Sequence, residues 1–228
     1  MNRLETFLTG SAIAVAAALT TGVHVVEENL GLAFGPRLVA DAVVIALAFT
    51  FIRELIAVTL LEASALRRAI LRGTYIEGTW VDVVSYPDRE PLIGVVHLSS
   101  HGTGLKYYGE NFYPDGTHAN QFATQGVQVE FPRLTFHYTA GGAGEEGPFL
   151  GGVGLIAFDG RGPRGPGRYT GYCLDAAEGT RHKLIGARVE DPTDLIELAD
   201  PNTRVEAALR LAVPLINQLG GQAAPRAE

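Results

Sequence analysis

The residues best suited to chemistry in this chain are cations and aromatic rings on short alternating segments. Arg133, Thr135 and His137 occupy alternate positions, as do Arg168, Thr170 and Tyr172, and His182 and Arg188 follow with Leu184 and Gly186 between them. Side chains two apart on a strand share a face, so each set presents its polar groups together. Guanidinium forks match phosphate oxygens in paired hydrogen bonds, and rings such as Tyr108 and Tyr172 offer faces on which bases stack. The ligand-binding set expected from these patterns is Trp80, Tyr108, Arg133, His137, Arg168, Tyr172 and Arg188. The loop DGRGPRGPG, 159–167, is too rich in glycine and proline for a strand, and its Arg161 and Arg164 are expected to form a lid over phosphate. Alternation alone does not say which face of a strand points inward.

Catalysis is not expected. His97 and His101 are four apart, but no HExxH or Cys-x-x-Cys spacing accompanies them, so neither a metal nor any other cofactor is implied. There is no phosphate-binding Gly-x-x-x-x-Gly-Lys-Ser/Thr loop and no Gly-x-Ser-x-Gly elbow. The formal net charge of −7 argues against a nucleic-acid polymer as partner, so an anionic ligand must be held by a local cluster. Two arginine–phosphate contacts and two base stacks together supply about 5–12 kcal/mol, whereas nanomolar binding needs about 12 kcal/mol net. A tight site must therefore enclose its ligand.

The elements that position these residues begin at Thr74, where short β-branched and aromatic segments are separated by Gly, Pro, Asp and Asn. Strands are expected near 75–86, 91–99, 104–113, 121–131, 133–140, 150–159, 167–175 and 181–189. Turn chemistry such as YPDREP, SSHGTG, YPDG and DAAEG favours an up-and-down antiparallel meander. Closing eight strands into a barrel removes both edges and leaves room for one small ligand; a sandwich is the alternative. Gly151, Gly152 and Gly154 share one strand, which requires a bend or a close approach. Glu77-Gly78-Thr79-Trp80 opens the first strand with a Gly-x-Trp that resembles the start of lipocalin-like barrels, where the indole plugs one end. Asp191-Pro192 is a helix start, and Thr203 to Glu206 reads as a capping box opening a helix to about Leu219, with Val205, Leu209, Ala212 and Ile216 toward the barrel and a kink at Pro214.

Ahead of this domain lie two apolar runs, Phe7 to Val26 and Leu38 to Leu61, joined by EENLGLAFGPR. Each has the roughly twenty residues that span a bilayer, and a membrane helical hairpin is expected, with a secretory signal peptide as the competing reading of the first run. Arg3 before the hairpin and Arg67, Arg68 and Arg72 after it place both ends inside, so the domain that follows is expected to face the cytoplasm. Gly10, Ala14, Ala18 and Gly22 recur every fourth residue, a small-residue face suited to helix packing in lipid. The organisation expected is a hairpin and stalk over 1–72, a barrel over 73–190, docking helices over 191–220 and a disordered tail over 221–228. The lone Cys173 excludes an internal disulfide framework.

Two N-terminal membrane helices, a stalk and a strand-rich domain opening with Gly78-x-Trp80 resemble the two-transmembrane, β-strand-rich effectors of bacterial CBASS anti-phage systems. The resemblance implies a minimal barrel that binds a cyclic dinucleotide, 3′,3′-linked, from a partner synthase of the CD-NTase type. Binding then drives homo-oligomerisation, and the membrane segments disrupt the inner membrane and kill the infected cell. Two other readings compete: a membrane-tethered lipid or fatty-acid carrier, since small barrels enclose apolar ligands, and an adaptor whose barrel is filled by its own side chains.

Overall fold

The computed structural model describes residues 10, 13, 14, 17, 43, 46–51, 54, 64–101, 104–142, 150–160, 162, 164–177 and 179–221. The chain divides into two compact units, Met1–Arg72 and Gly73–Glu228.

In the first unit the described residues before 64 are helical, and Ile13, Val43, Leu47 and Phe51 expose their apolar side chains. Gly10 and Ala14 are helical and exposed, whereas Ala18 and Gly22 lie outside the described residues. Helix α1, Ser64–Leu71, closes the unit, and a 3-10 turn, Arg72–Thr74, follows. No helix among the described residues is long and apolar enough to cross a membrane, and most of the expected hairpin lies outside them.

The second unit is a closed barrel of eight antiparallel strands, each paired with its sequence neighbours and β8 with β1. The strands are β1 Gly78–Ser85, β2 Leu92–His101, β3 Gly104–Phe112, β4 His118–Glu130, β5 Arg133–Gly142, β6 Leu150–Phe158, β7 Arg168–Asp175 and β8 Arg181–Arg188. Tight turns set the register. At YPDG, Asp115 Oδ1 accepts from the Thr117 amide and hydroxyl, and Gly116 adopts φ 87°, a left-handed value that glycine takes without strain.

Alternation along each strand sends one set of side chains inward. Trp80, Val84, Leu92, Val96, Leu98, Tyr107, Leu134, Phe136, Ile156, Phe158 and Tyr169 fill the bore. Large rings need small partners opposite them. A Cβ on Gly154 would come within 2.1 Å of the Phe136 ring, so the glycines of β6 admit aromatic side chains.

β1 is buried on both faces, from Trp80 to Val84. Its outward Val81 and Val83, with Ile93, Val95, Phe112 and Ile185, form a second apolar layer under the C-terminal helices α2, Pro192–Ala199, and α3, Arg204–Gly221. Asp191 caps α2 by accepting from the Thr193 amide at 2.7 Å. The covering face of α3 centres on Ala207, Ala208, Ala212 and Leu215, whose small side chains let the helix come close, with Val205, Leu209 and Ile216 at its margin. Thr203 does not act as the expected box: its hydroxyl donates to the Glu197 carbonyl at 2.8 Å, tying α3 back to α2. Pro214 sits exposed within α3. Gly221 ends the helix, and 222–228, most of the expected tail, lie outside the described residues.

Candidate functional site

The barrel has one filled end and one open end. At the filled end Trp80 is fully buried, its indole donating to the Ile76 carbonyl at 3.1 Å and packing 5.6 Å from Phe158 and 5.2 Å from Tyr169. Arg188, last on β8, closes this end. Its Nη1 donates to the carbonyls of Tyr75 at 3.0 Å and Arg164 at 2.9 Å, its Nη2 donates to that of Glu77, and the guanidinium lies 5.8 Å from the Trp80 ring centre. Gly-x-Trp thus does what its resemblance implied for the indole: it plugs a barrel.

At the other end a cavity of about 220 Å³ enters the bore between the β1–β2 and β3–β4 turns. Its wall is aromatic, with Tyr86, Tyr107, Tyr113, Phe122, Phe136 and Tyr138, and Arg89 stands at the rim 3.8 Å above the Tyr86 ring. Polar groups also line it: Asp82 from β1, Asn111 from β3, Asn120 from β4 and Asp175 from β7.

Asp82 is the central one. It is 2% exposed, and Oδ2 accepts from the hydroxyls of Tyr169 at 2.7 Å and Tyr107 at 2.8 Å. Oδ1 has no hydrogen-bond partner among the described residues. Burial raises the Asp82 carboxyl from 3.8 to about 6, and the hydrogen bonds from Tyr169 and then Tyr107, with a smaller contribution from the Gly94 backbone, hold it from rising further. Burial likewise pushes both tyrosines well above their ordinary value, with the Asp82 charge adding to it. Cys173, also in the wall, is pushed to about 12 by burial and by the nearby Asp82 and Asp175 charges, so its thiol stays protonated and is a poor nucleophile. What the cavity offers is hydrogen-bonding groups and aromatic faces.

The residues singled out from the sequence do not converge on this cavity. Trp80 and Arg188 point inward but form the plug. Arg133, His137, Arg168 and Tyr172 project from the outer faces of β5 and β7, where Tyr172 lies 3.7 Å under the Arg181 guanidinium. Each alternates with an inward residue, Leu134, Phe136, Tyr169 or Cys173, and that parity decides its place. The loop carrying Arg164 lies at the plugged end, where its backbone serves Arg188 and its side chain reaches Glu190 at 3.7 Å, so it does not cover the cavity; Arg161 is outside the described residues. Tyr108 also faces outward, 5.4 Å from His97, in a surface depression of about 1010 Å³ shared with Lys106, Glu110, His118 and Arg204. Arg204 is engaged there by Glu110 and by the Leu198 carbonyl at 2.8 Å.

Asp82 is absent from the set expected from the strand patterns, although a pointer to it exists in the sequence. It is the only ionisable residue in TWVDVV and stands two after Trp80. Once the indole is a plug, position 82 must share its inward face. No group of three or more potential metal ligands occurs among the described residues. Comparison with known proteins found no matching family model, curated protein or solved structure.

Proposed function

We propose that this chain is a membrane-anchored sensor whose barrel binds a cyclic dinucleotide and whose N-terminal segment acts on the bilayer, as in CBASS anti-phage effectors. The observation that carries the reading is the open end: an aromatic-walled cavity with hydrogen-bonding groups in its depth and the Arg89 guanidinium at its rim. Rings accept a base by stacking, the carboxylates and amides read its edge, and a rim guanidinium meets a phosphate. At about 220 Å³ the cavity is smaller than the roughly 300–1,000 Å³ of sites that enclose a whole drug-sized ligand. One base enters, and the sugar–phosphate ring stays at the mouth.

A fatty-acid carrier fits less well, because the buried carboxylates of Asp82 and Asp175 repel a carboxylate ligand. The exposed apolar side chains of Ile13, Val43, Leu47 and Phe51 on helical residues support contact of the N-terminal unit with lipid. In this reading ligand-driven assembly of a cytoplasmic domain rearranges the hairpins at the inner membrane, and no catalytic step is involved.

Calorimetric titration against a panel of cyclic di- and trinucleotides tests the proposal. Saturable binding to one of them, weakened about tenfold or more by Arg89→Ala, is expected. Silence across the panel with co-purified lipid would turn the reading toward the carrier. Ala14→Leu with Ala18→Leu is expected to leave binding intact and abolish toxicity; persistent toxicity counts against the membrane step.

A further inference from the structure

Two acceptors converge in the depth of the cavity. Asp82 Oδ2 is engaged by Tyr107 and Tyr169, which leaves Oδ1 without a hydrogen-bond partner among the described residues. Asn111 donates through Nδ2 to Asn120 Oδ1 at 2.7 Å, which turns its own Oδ1 away from that bond. Both oxygens gather over Gly94, whose backbone amide lies near the Asp82 carboxylate without completing a hydrogen bond of good geometry to Oδ1. A Cβ placed there would lie 2.1 Å from Asp82 Oδ1 and 2.8 Å from Asn111 Oδ1, so only glycine at this inward position leaves the pair their room. Tyr107 and Phe122, whose rings are 5.2 Å apart, stand in the same wall and give a flat group faces to lie against.

We propose that Asp82 and Asn111 form a specificity subsite for a planar ring whose edge carries adjacent N–H donors, which among nucleobases is guanine with its ring imino and exocyclic amino groups. The inference rests on the cyclic-dinucleotide reading and adds to it the base that enters the barrel. A buried acceptor left without a donor is costly, and a site built to hydrogen-bond one partner rejects analogues that cannot complete the bonds. Guanine completes both. Uracil offers one imino donor between two carbonyls, and adenine an amino donor beside a ring acceptor, so each leaves an oxygen facing an acceptor or nothing. The plug end has no part in this choice.

The test uses the full chain in detergent micelles at pH 7.5, above the value of about 6 to which burial raises the Asp82 carboxyl. Cyclic di-GMP, cyclic di-AMP, cyclic di-UMP and free guanosine are titrated by calorimetry. Cyclic di-GMP is expected to bind at least about tenfold tighter than cyclic di-UMP. Asp82→Asn, which turns one acceptor into a donor, and Asn111→Ala, which removes the other, are each expected to reduce that ratio to about threefold or less. Near-UV circular dichroism reports whether each variant keeps its packed barrel, and the wild-type ratio decides the matter even if neither does. Equal or tighter binding of the uracil ligand overturns the subsite while leaving the sensor reading intact, as does an unchanged ratio in a folded variant. Saturable guanosine binding without any cyclic dinucleotide supports the subsite and removes the sensor reading. Silence from all four probes overturns both.

Discussion

At one end of the barrel Trp80, Phe158 and Tyr169 fill the bore, and Arg188 closes it against three backbone carbonyls; at the other Tyr86, Tyr113 and Tyr138 surround a cavity with a carboxylate in its depth. The same strands build both ends. What differs is how the inward polar groups are answered. The guanidinium of Arg188 spends its donors on the chain itself, so this end contributes stability and rigidity. Asp82 uses one oxygen on two tyrosines and keeps the other without a partner among the described residues, a deficit that lowers stability. The two ends are thus told apart by their hydrogen-bond accounting, and the proposed site rests on that difference.

The sharpest way to break this contrast is at the plug. Trp80→Ala is expected to cost about 3–5 kcal/mol, a fall in Tm of roughly 10 °C, and Arg188→Met, which strips three carbonyls of their donor, about 2 kcal/mol. Small losses in thermal unfolding would show that this end is not the anchor of the fold. Asp82 gives an opposite response. Its folded carboxyl titrates near 6 against an ordinary value of 3.8, so the proton is held more tightly in the folded chain. That contribution is complete below about pH 3.8 and is lost as pH rises through 6, which makes the ionised form a burden on the order of 3 kcal/mol at neutral pH. Asp82→Asn should therefore unfold at a higher temperature than the wild type at pH 8, and the gap should narrow toward pH 4. A gap constant with pH would mean that the carboxylate pays no burial cost. At the rim Arg89→Ala is expected to change stability by less than about 0.5 kcal/mol while weakening ligand binding. The smallest effects are expected on the outside: Arg133→Ala and Arg168→Ala should alter neither melting nor affinity. Loss of binding in either would move the site to the outer face.

All eight strands were legible because Gly, Pro, Asp and Asn mark their turns, and the barrel followed from their number and even spacing. Trp80 as a plug was legible from Gly-x-Trp. Which face points inward was not, because an arginine between two apolar neighbours reads the same whether it stands outside the barrel or inside it. β1 hid its parity further: Val81 and Val83 are as apolar as Trp80 and Val84, since α3 covers the outside there. For that reason Arg133, His137, Arg168 and Tyr172, expected together at one site, stand outside the cavity. Asp82 carries no signal of anion binding, since a carboxylate repels phosphate. The capping box at Thr203 failed because a nearby carbonyl, that of Glu197, competed for the hydroxyl.

The latch has a consequence in time. Arg188 grips the carbonyl of Tyr75 across 113 residues of sequence, and β1 pairs with β8 beside it. A ribosome adding about 5–20 residues per second needs on the order of ten seconds to deliver the second partner after the first. Through that interval Trp80 has no floor and β1 has an open edge. The residues before Tyr75 have by then long left the ribosome, so whatever they engage is engaged before the barrel exists, and the cavity is the last feature the chain acquires.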